Sequence, residues 1–189
     1  MDYTKGLLER FKAVGRTLEK YPELQDKLVF VELGAPSRIL IPTYQNHLLE
    51  IERLVGKINS QYGSKDYQPI LLLKEHHGQE IIRQFYQIGD FCLVSSLHDG
   101  MNLVAKEYVA AKIDNKGSLI LSRFTGAARE LTDAILVNPY SIEKFADAVK
   151  LAIEMPIEEK EKYYFVLNYR LSCSSHQKDT SYEGVVMLF

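Results

Sequence analysis

Cysteine is scarce in this sequence: Cys92 and Cys173 are the only two. Cys92 sits inside an apolar run, so a disulfide framework is excluded and a reducing, cytoplasmic setting is expected. Long apolar runs are missing as well. None approaches the ~20 residues that a membrane helix needs. Asp2, Lys5, Glu9, Arg10, Lys12 and Arg16 break up the N-terminal stretch, so no signal peptide is visible. There is no excess of positive charge, the formal net charge being −2. A general nucleic-acid binder would carry a basic stripe, whereas a small phosphorylated ligand needs only one or two local cations. No Gly-x-Ser-x-Gly, His-Glu-x-x-His or Walker-type Gly-Lys-Ser/Thr occurs, so nucleophile–base hydrolysis has no support. His76, His77 and His98 do not stand at metal-ligand spacing with the cysteines, and no metal is expected.

What is present is the composition of a folded domain: 189 residues, 46% apolar and 25% charged. That is enough apolar content to offset chain entropy. The length fits one domain, or a piece of something larger. Leu7, Leu8, Phe11, Val14 and Leu18 fall at helical spacing. Leu28-Val29-Phe30-Val31 is short and partly β-branched and predicts a buried strand. Tyr44, Leu48, Ile51, Val55 and Ile58 predict a helix over about 42–60, with Pro42 in its first turn. Strands are expected at 69–73, 91–94, 119–121 and 134–137, with helices at 79–88, 102–111 and 126–131 and two more after Ser141, the expected N-cap, and Pro156. The stretch after about 165 leaves this pattern. Alternating strands and amphipathic helices predict an α/β fold, a doubly wound parallel sheet covered on both faces. Ligands bind such sheets in loops at the carboxyl ends of strands. Those loops are 34–41, 74–78, 96–102, 122–126 and 138–141.

One of these loops carries the strongest chemistry. Leu97-His98-Asp99-Gly100-Met101-Asn102 lies between a strand and a helix. Gly100 would allow a tight turn and close backbone approach. Asn102 is a good N-cap, and the free amides that follow it would attract phosphate. Glu107 lies about one turn further on, within reach of a ligand group beyond the phosphate. A plain capped helix, with Asp99 as a turn residue, explains the same spacing. Lys5 and Arg38 sit in expected loops, and each could hold a phosphate oxygen. Each could equally be a solvated surface cation.

Several stretches taken together resemble the trehalose-6-phosphate synthase family, retaining glycosyltransferases of family 20 with the GT-B fold. Asp2-Tyr3-Thr4-Lys5-Gly6-Leu7 is similar to that family's Asp-Tyr-(Ser/Thr)-Lys-Gly-Leu. Ala35-Pro36-Ser37-Arg38 is similar to its Pro-Ser-Arg loop, and Asp99 to Tyr108 to its most specific block. Leu121 to Leu131 and Val137-Asn138-Pro139-Tyr140 follow in the family's order. The resemblance covers about 1–160. It implies a Rossmann-like sheet, the C-terminal, nucleotide-sugar-binding domain of a GT-B enzyme, with 161–189 as a tail that starts helical. It implies transfer of glucose from UDP-glucose to glucose 6-phosphate with retention, without a cofactor or metal. Lys5 and the backbone amides of Asn102 and Leu103 would hold the donor diphosphate. Asp99, the implied catalytic residue, would grip a glucose hydroxyl, Glu107 the ribose, and the chain at His77 the uracil. Arg38 would meet the acceptor phosphate.

The resemblance also sets limits. His98 stands where the family usually has arginine, and Ile39-Leu40 replaces a more polar pair. A transferase making glucosylglycerol phosphate is therefore a second reading. The family's other GT-B domain, an arginine before the Asp-Tyr-Thr-Lys motif and the domain's first, central strand are expected ahead of Asp2. On this view the 189 residues alone would be marginally stable and inactive as a synthase. They would need a separate N-terminal-domain chain or a full-length homologue as partner. The same residues also admit a non-catalytic nucleotide-sugar-binding module or a receiver-like regulator. The regulator needs an acidic cluster at a strand end, and none is evident.

Overall fold

The computed structural model describes residues 2–35, 40–174 and 186–188. Along these residues run β1 (Phe30–Leu33), β2 (Ile70–Leu73), β3 (Phe91–Val94), β4 (Ser118–Ser122), β5 (Ile135–Val137) and β6 (Val186–Leu188). The helices are α1 (Leu7–Lys20), α2 (Pro42–Tyr62), α3 (Gln79–Ile88), α4 (Leu103–Ala111), α5 (Ile142–Glu154) and α6 (Ile157–Ser174). Each expected strand and helix up to Pro156 is present within a few residues of its sequence position. The segment 126–131 is a 3-10 turn, Gly126–Arg129, rather than an α-helix. Ser141 occupies the N-cap of α5 as expected, but its side chain makes no capping hydrogen bond. The chain stays helical through Ser174.

The strands form two hydrogen-bonded sets. One has the order β2-β1-β6 and the other β3-β4-β5. β1 and β2 run parallel with Phe30 opposite Ile70, and β3, β4 and β5 are all parallel. β6 pairs antiparallel with β1, Leu188 opposite Val31, and packs beside β3. β1 and β2 are joined through α2, and β3 and β4 through α4, the helical crossovers that parallel pairing requires, and helices cover both faces. Among the described residues, the two sets are not hydrogen-bonded to one another through β1 and β3, which bears on the site below.

Side-chain alternation along each strand feeds two cores. Phe91 and Leu93 of β3 face one side; Cys92 and Val94 face the other. The first core is covered by α1, α2 and α5, through Leu7, Phe11, Val14, Leu18, Ile51, Val55, Phe145 and Val149. Each such large side chain contributes about 1.5–3 kcal/mol of transfer free energy. The second core is covered by α3, α4 and α6. There the Tyr86 ring packs tilted against Tyr108, 5.8 Å between centroids, and Tyr108 meets Tyr164 edge to face at 6.0 Å. Tyr164 donates its hydroxyl to the carbonyls of Tyr108 and Val109 at 2.8 and 2.9 Å, tying α6 to the end of α4. Cys92 is a free, buried thiol in this second core, and burial pushes its pKa up. Among the described residues, no helix is long and apolar enough to cross a membrane.

Candidate functional site

Both cores leave the carboxyl ends of β3 and β4 open to loops, and a polar cluster assembles there. The chain enters through a 3-10 turn, Tyr3–Lys5, capped by Asp2, whose carboxylate accepts from Thr4 N at 3.0 Å. Gly6 then sits in the left-handed region at φ +65° and starts α1. This turn lies directly on the β3–α4 loop. Leu97 N donates to Thr4 O at 2.8 Å, and a Cβ on Gly6 would stand 2.2 Å from Ser95 O. Only glycine satisfies both the backbone angle and the approach.

The docking brings Lys5 to Asp99. The ammonium donates to Asp99 Oδ2 at 2.8 Å across 94 residues of chain. Asn102 Nδ2 donates to the same oxygen at 3.1 Å, and Ser96 Oγ lies 3.4 Å from it. Burial acts to raise the Asp99 carboxyl pKa, but the Lys5 ammonium and the Asn102 amide outweigh it and hold the group below the usual aspartate range. Asp99 is therefore a carboxylate at neutral pH.

Asn102 does two jobs. Its Oδ1 caps α4 by accepting from Ala105 N at 3.1 Å, and its Nδ2 braces Asp99. Doing so puts its backbone at φ +70°, a conformation that asparagine tolerates better than most residues. The amides of Leu103 and Val104, in the first turn of α4, have no intrahelical acceptor. With the dipole of the helix behind them they give this end of α4 a partial positive charge.

The loop is held by the segment that follows β4. Asp99 N donates to Phe124 O at 3.2 Å, Gly126 N to Asp99 O at 3.0 Å and Ala127 N to Met101 O at 2.8 Å. The close backbone approach belongs to Gly126, not to Gly100 as expected. A Cβ on Gly126 would stand 2.0 Å from Gly100 O, whereas one on Gly100 would meet nothing within 4 Å. The glycine before the helix faces open space, and the tight packing falls one loop away, where sequence spacing carries no signal for it.

Glu107 projects from α4 and is half-buried. Tyr86 of α3 donates its hydroxyl to Glu107 Oε2 at 3.2 Å. Burial raises the Glu107 carboxyl pKa, and the Tyr86 hydrogen bond opposes the rise. Tyr86 was not among the expected site residues; its reach toward α4 depends on how the two helices pack. Phe124 and Tyr140, 6.0 Å apart and both exposed, flank the same end of the sheet from the β4 and β5 loops and were also unanticipated. His77 stands in the loop after β2, with ring Nδ1 2.9 Å from Glu75 O, and among the described residues no hydrogen bond joins it to the Lys5–Asp99 cluster. His98 is exposed on the loop before Asp99. Arg38, expected at the acceptor phosphate, lies outside the described residues. Among the described residues, no group of three or more His, Cys, Asp or Glu side chains is placed to hold a metal ion.

A carboxylate braced by an ammonium thus lies at the carboxyl end of a parallel sheet, beside a capped helix start. The sequence family described as Glycosyltransferase family 20 matches residues 1–173. The chain belongs to glycosyltransferase family 20. Among its relatives is alpha,alpha-trehalose-phosphate synthase [UDP-forming] A of Dictyostelium discoideum. The two are 42% identical over 170 residues, 89% of this chain and 23% of that protein. A solved alpha,alpha-trehalose-phosphate synthase (UDP-forming) from Burkholderia xenovorans, in complex with glucose-6-phosphate, superposes with a TM-score of 0.88 at 38% identity. It covers 90% of this chain and 38% of its own. The E. coli enzyme bound with UDP-2-fluoro glucose gives 0.85 at 38% identity, covering 91% and 40%. This family-20 chain thus spans well under half the length of the relatives it matches. The expected Rossmann-like α/β fold of a GT-B glycosyltransferase is the fold found.

Proposed function

We propose that this chain carries the donor side of a retaining glucosyltransferase that moves glucose from UDP-glucose to glucose 6-phosphate, giving trehalose 6-phosphate and UDP. The observation that carries this is the Lys5–Asp99–Asn102 cluster set against the start of α4. Lys5 and the backbone amides of Asn102 and Leu103 take the donor diphosphate. Asp99 accepts from a glucose hydroxyl once Lys5 turns to the phosphates. Glu107, held by Tyr86, accepts from the ribose hydroxyls, and the backbone near His77 meets the uracil. Arg38 is assigned to the acceptor phosphate.

In the reaction the bond between the anomeric carbon and the diphosphate oxygen breaks. The acceptor hydroxyl attacks from the same face, and its proton passes to the departing diphosphate. No enzyme nucleophile is needed. The residues named supply positioning and stabilise charge as it accumulates on the leaving group. No cofactor is proposed. Apart from Arg38, most of the acceptor side belongs to the other GT-B domain, on the same polypeptide or on a partner chain. The buried free thiol of Cys92 fits the cytoplasm as the setting.

Titration calorimetry with UDP and UDP-glucose tests the reading. Binding to the wild type, with a large loss in Glu107→Ala and in Lys5→Ala, is the expected result. A folded wild type that binds neither ligand overturns it.

A further inference from the structure

Arg10 is a deeply buried cation beside the site, and the donor contacts proposed above do not use it. It lies one turn into α1 with only 4% of its surface exposed. Its guanidinium reaches three elements. Nη1 donates to Glu32 Oε2 of β1 at 2.6 Å, Nε to Ser95 Oγ just past β3 at 2.9 Å, and Nη2 approaches Lys5 O at 3.5 Å. Ser95 Oγ in turn lies 3.0 Å from Lys5 O and 2.9 Å from Gly6 O, between which it shares one hydroxyl proton. Among the described residues, β1 and β3 are not hydrogen-bonded to each other. The fork of one arginine spans the two strand sets and holds the main chain of the Lys5 turn between them.

This is a costly construction if stability were its purpose. Removing two charges from water costs several kcal/mol per ion, and an apolar pair of the same volume often serves as well. Glu32 Oε1 is moreover buried with no hydrogen-bond partner. A planar, five-donor group, however, fixes geometry in a way an apolar contact does not. Outside the sheet, the main chain it fixes is that of Lys5 and Gly6.

We propose that Arg10 is a positioning residue for the donor diphosphate site, acting through Ser95 on the backbone of Lys5. The inference rests on the reading of Lys5 as a diphosphate ligand. Glu32 sets the guanidinium plane, Arg10 orients the Ser95 hydroxyl, and the hydroxyl sets the carbonyls of Lys5 and Gly6. The Lys5 ammonium is thereby delivered beside the α4 start rather than left to sample solvent.

A double-mutant cycle on UDP binding tests it, with wild type, Lys5→Ala, Ser95→Ala and the double variant titrated calorimetrically. Ser95→Ala removes one hydroxyl and leaves the Arg10–Glu32 pair in place. It is expected to weaken UDP binding about fivefold when Lys5 is present, a factor in keeping with one hydrogen bond. In the Lys5→Ala background the same change is expected to have no effect. Arg10→Lys, which keeps the charge beside Glu32 but lacks the fork, should weaken UDP binding in the same Lys5-dependent way. An equal loss in both backgrounds means a general structural role and overturns the proposal, as does no loss in either. A wild type that melts cooperatively yet binds no UDP overturns the donor-site reading, and this inference with it.

Discussion

Gly126 and Gly100 make opposite demands on the loop that carries Asp99, and alanine at each position separates them. At Gly126 the added methyl would stand 2.0 Å from Gly100 O, 2.9 Å from Gly100 C and 3.3 Å from Met101 Cα, all backbone atoms. No side chain can swing away, so the β3–α4 loop itself must shift. Overpacking against an unyielding neighbour costs typically 1–3 kcal/mol. For a chain of this size each kcal/mol lowers the melting temperature by about 2–4 °C, so Gly126→Ala should melt about 2–12 °C lower. The shift also moves two hydrogen bonds, Gly126 N to Asp99 O and Ala127 N to Met101 O. UDP affinity should therefore fall along with stability. Gly100→Ala meets nothing and its φ is not in the left-handed region, so its melting temperature should stay within about 2 °C of wild type, as for an ordinary surface change. Circular-dichroism melts of the two variants decide the matter. Equal melting temperatures, or a larger loss at Gly100, would refute the packing argument.

The buried pair offers a second test. Glu32→Leu strands the Arg10 guanidinium and should cost about 3–5 kcal/mol, while Arg10→Met added to it should recover most of the stability; denaturant melts give both numbers. If the positioning role of Arg10 is right, that stable double variant still binds UDP more weakly than wild type. Asp99 titrates below the usual range, so its pairing stabilises the fold above the ordinary value of about 3.9 and is lost as pH falls through the lowered one. Melting temperature between neutral and acidic pH should therefore drop more steeply in wild type than in Asp99→Asn, and parallel curves refute the pairing. Glu107 carries the opposite sign. Burial raises its pKa, so stability falls as pH climbs from about 4.3 through the raised value, and Glu107→Gln should remove that slope. Tyr86→Phe removes the bond that steadies Glu107 and should weaken UDP binding by about two- to tenfold, measured by calorimetry with the fold checked by its melt.

Much of the fold was legible because its signals are local. Val14 and Leu18 of α1, or Phe91 to Val94 of β3, declare their element through periodicity and β-propensity within a few residues. Asn102 as a cap and Lys5, Asp99 and Glu107 as candidates were legible for the same reason, being polar residues at strand ends and helix starts. Ser141 shows the limit of that reasoning, since a good N-cap residue stands at the right place and makes no side-chain bond. What was not legible depends on pairs far apart in sequence. Nothing local says that Tyr86 meets Glu107, that Phe124 meets Tyr140, or that a glycine after β4 rather than the one before α4 is the position with no room.

Arg10 is the extreme case. As a charged residue in an amphipathic helix it reads as part of the solvated face, yet it is buried among groups 5, 22 and 85 residues away. Its neighbours at helical spacing, Leu7, Phe11 and Val14, set α1 down on the first core, and that same packing presses residue 10 against the gap between β1 and β3. Hydrophobic burial therefore decides where the charge goes, and the charge then decides where the backbone of Lys5 goes. Loss of apolar packing under α1 should reach the donor site by this route, with no substitution near a phosphate. Phe11→Leu, which keeps the helix and thins its contact with Phe30, should lower UDP affinity more in the wild type than in the Ser95→Ala variant. Equal losses in the two proteins would show that α1 reaches the site without passing through the Arg10–Ser95 link.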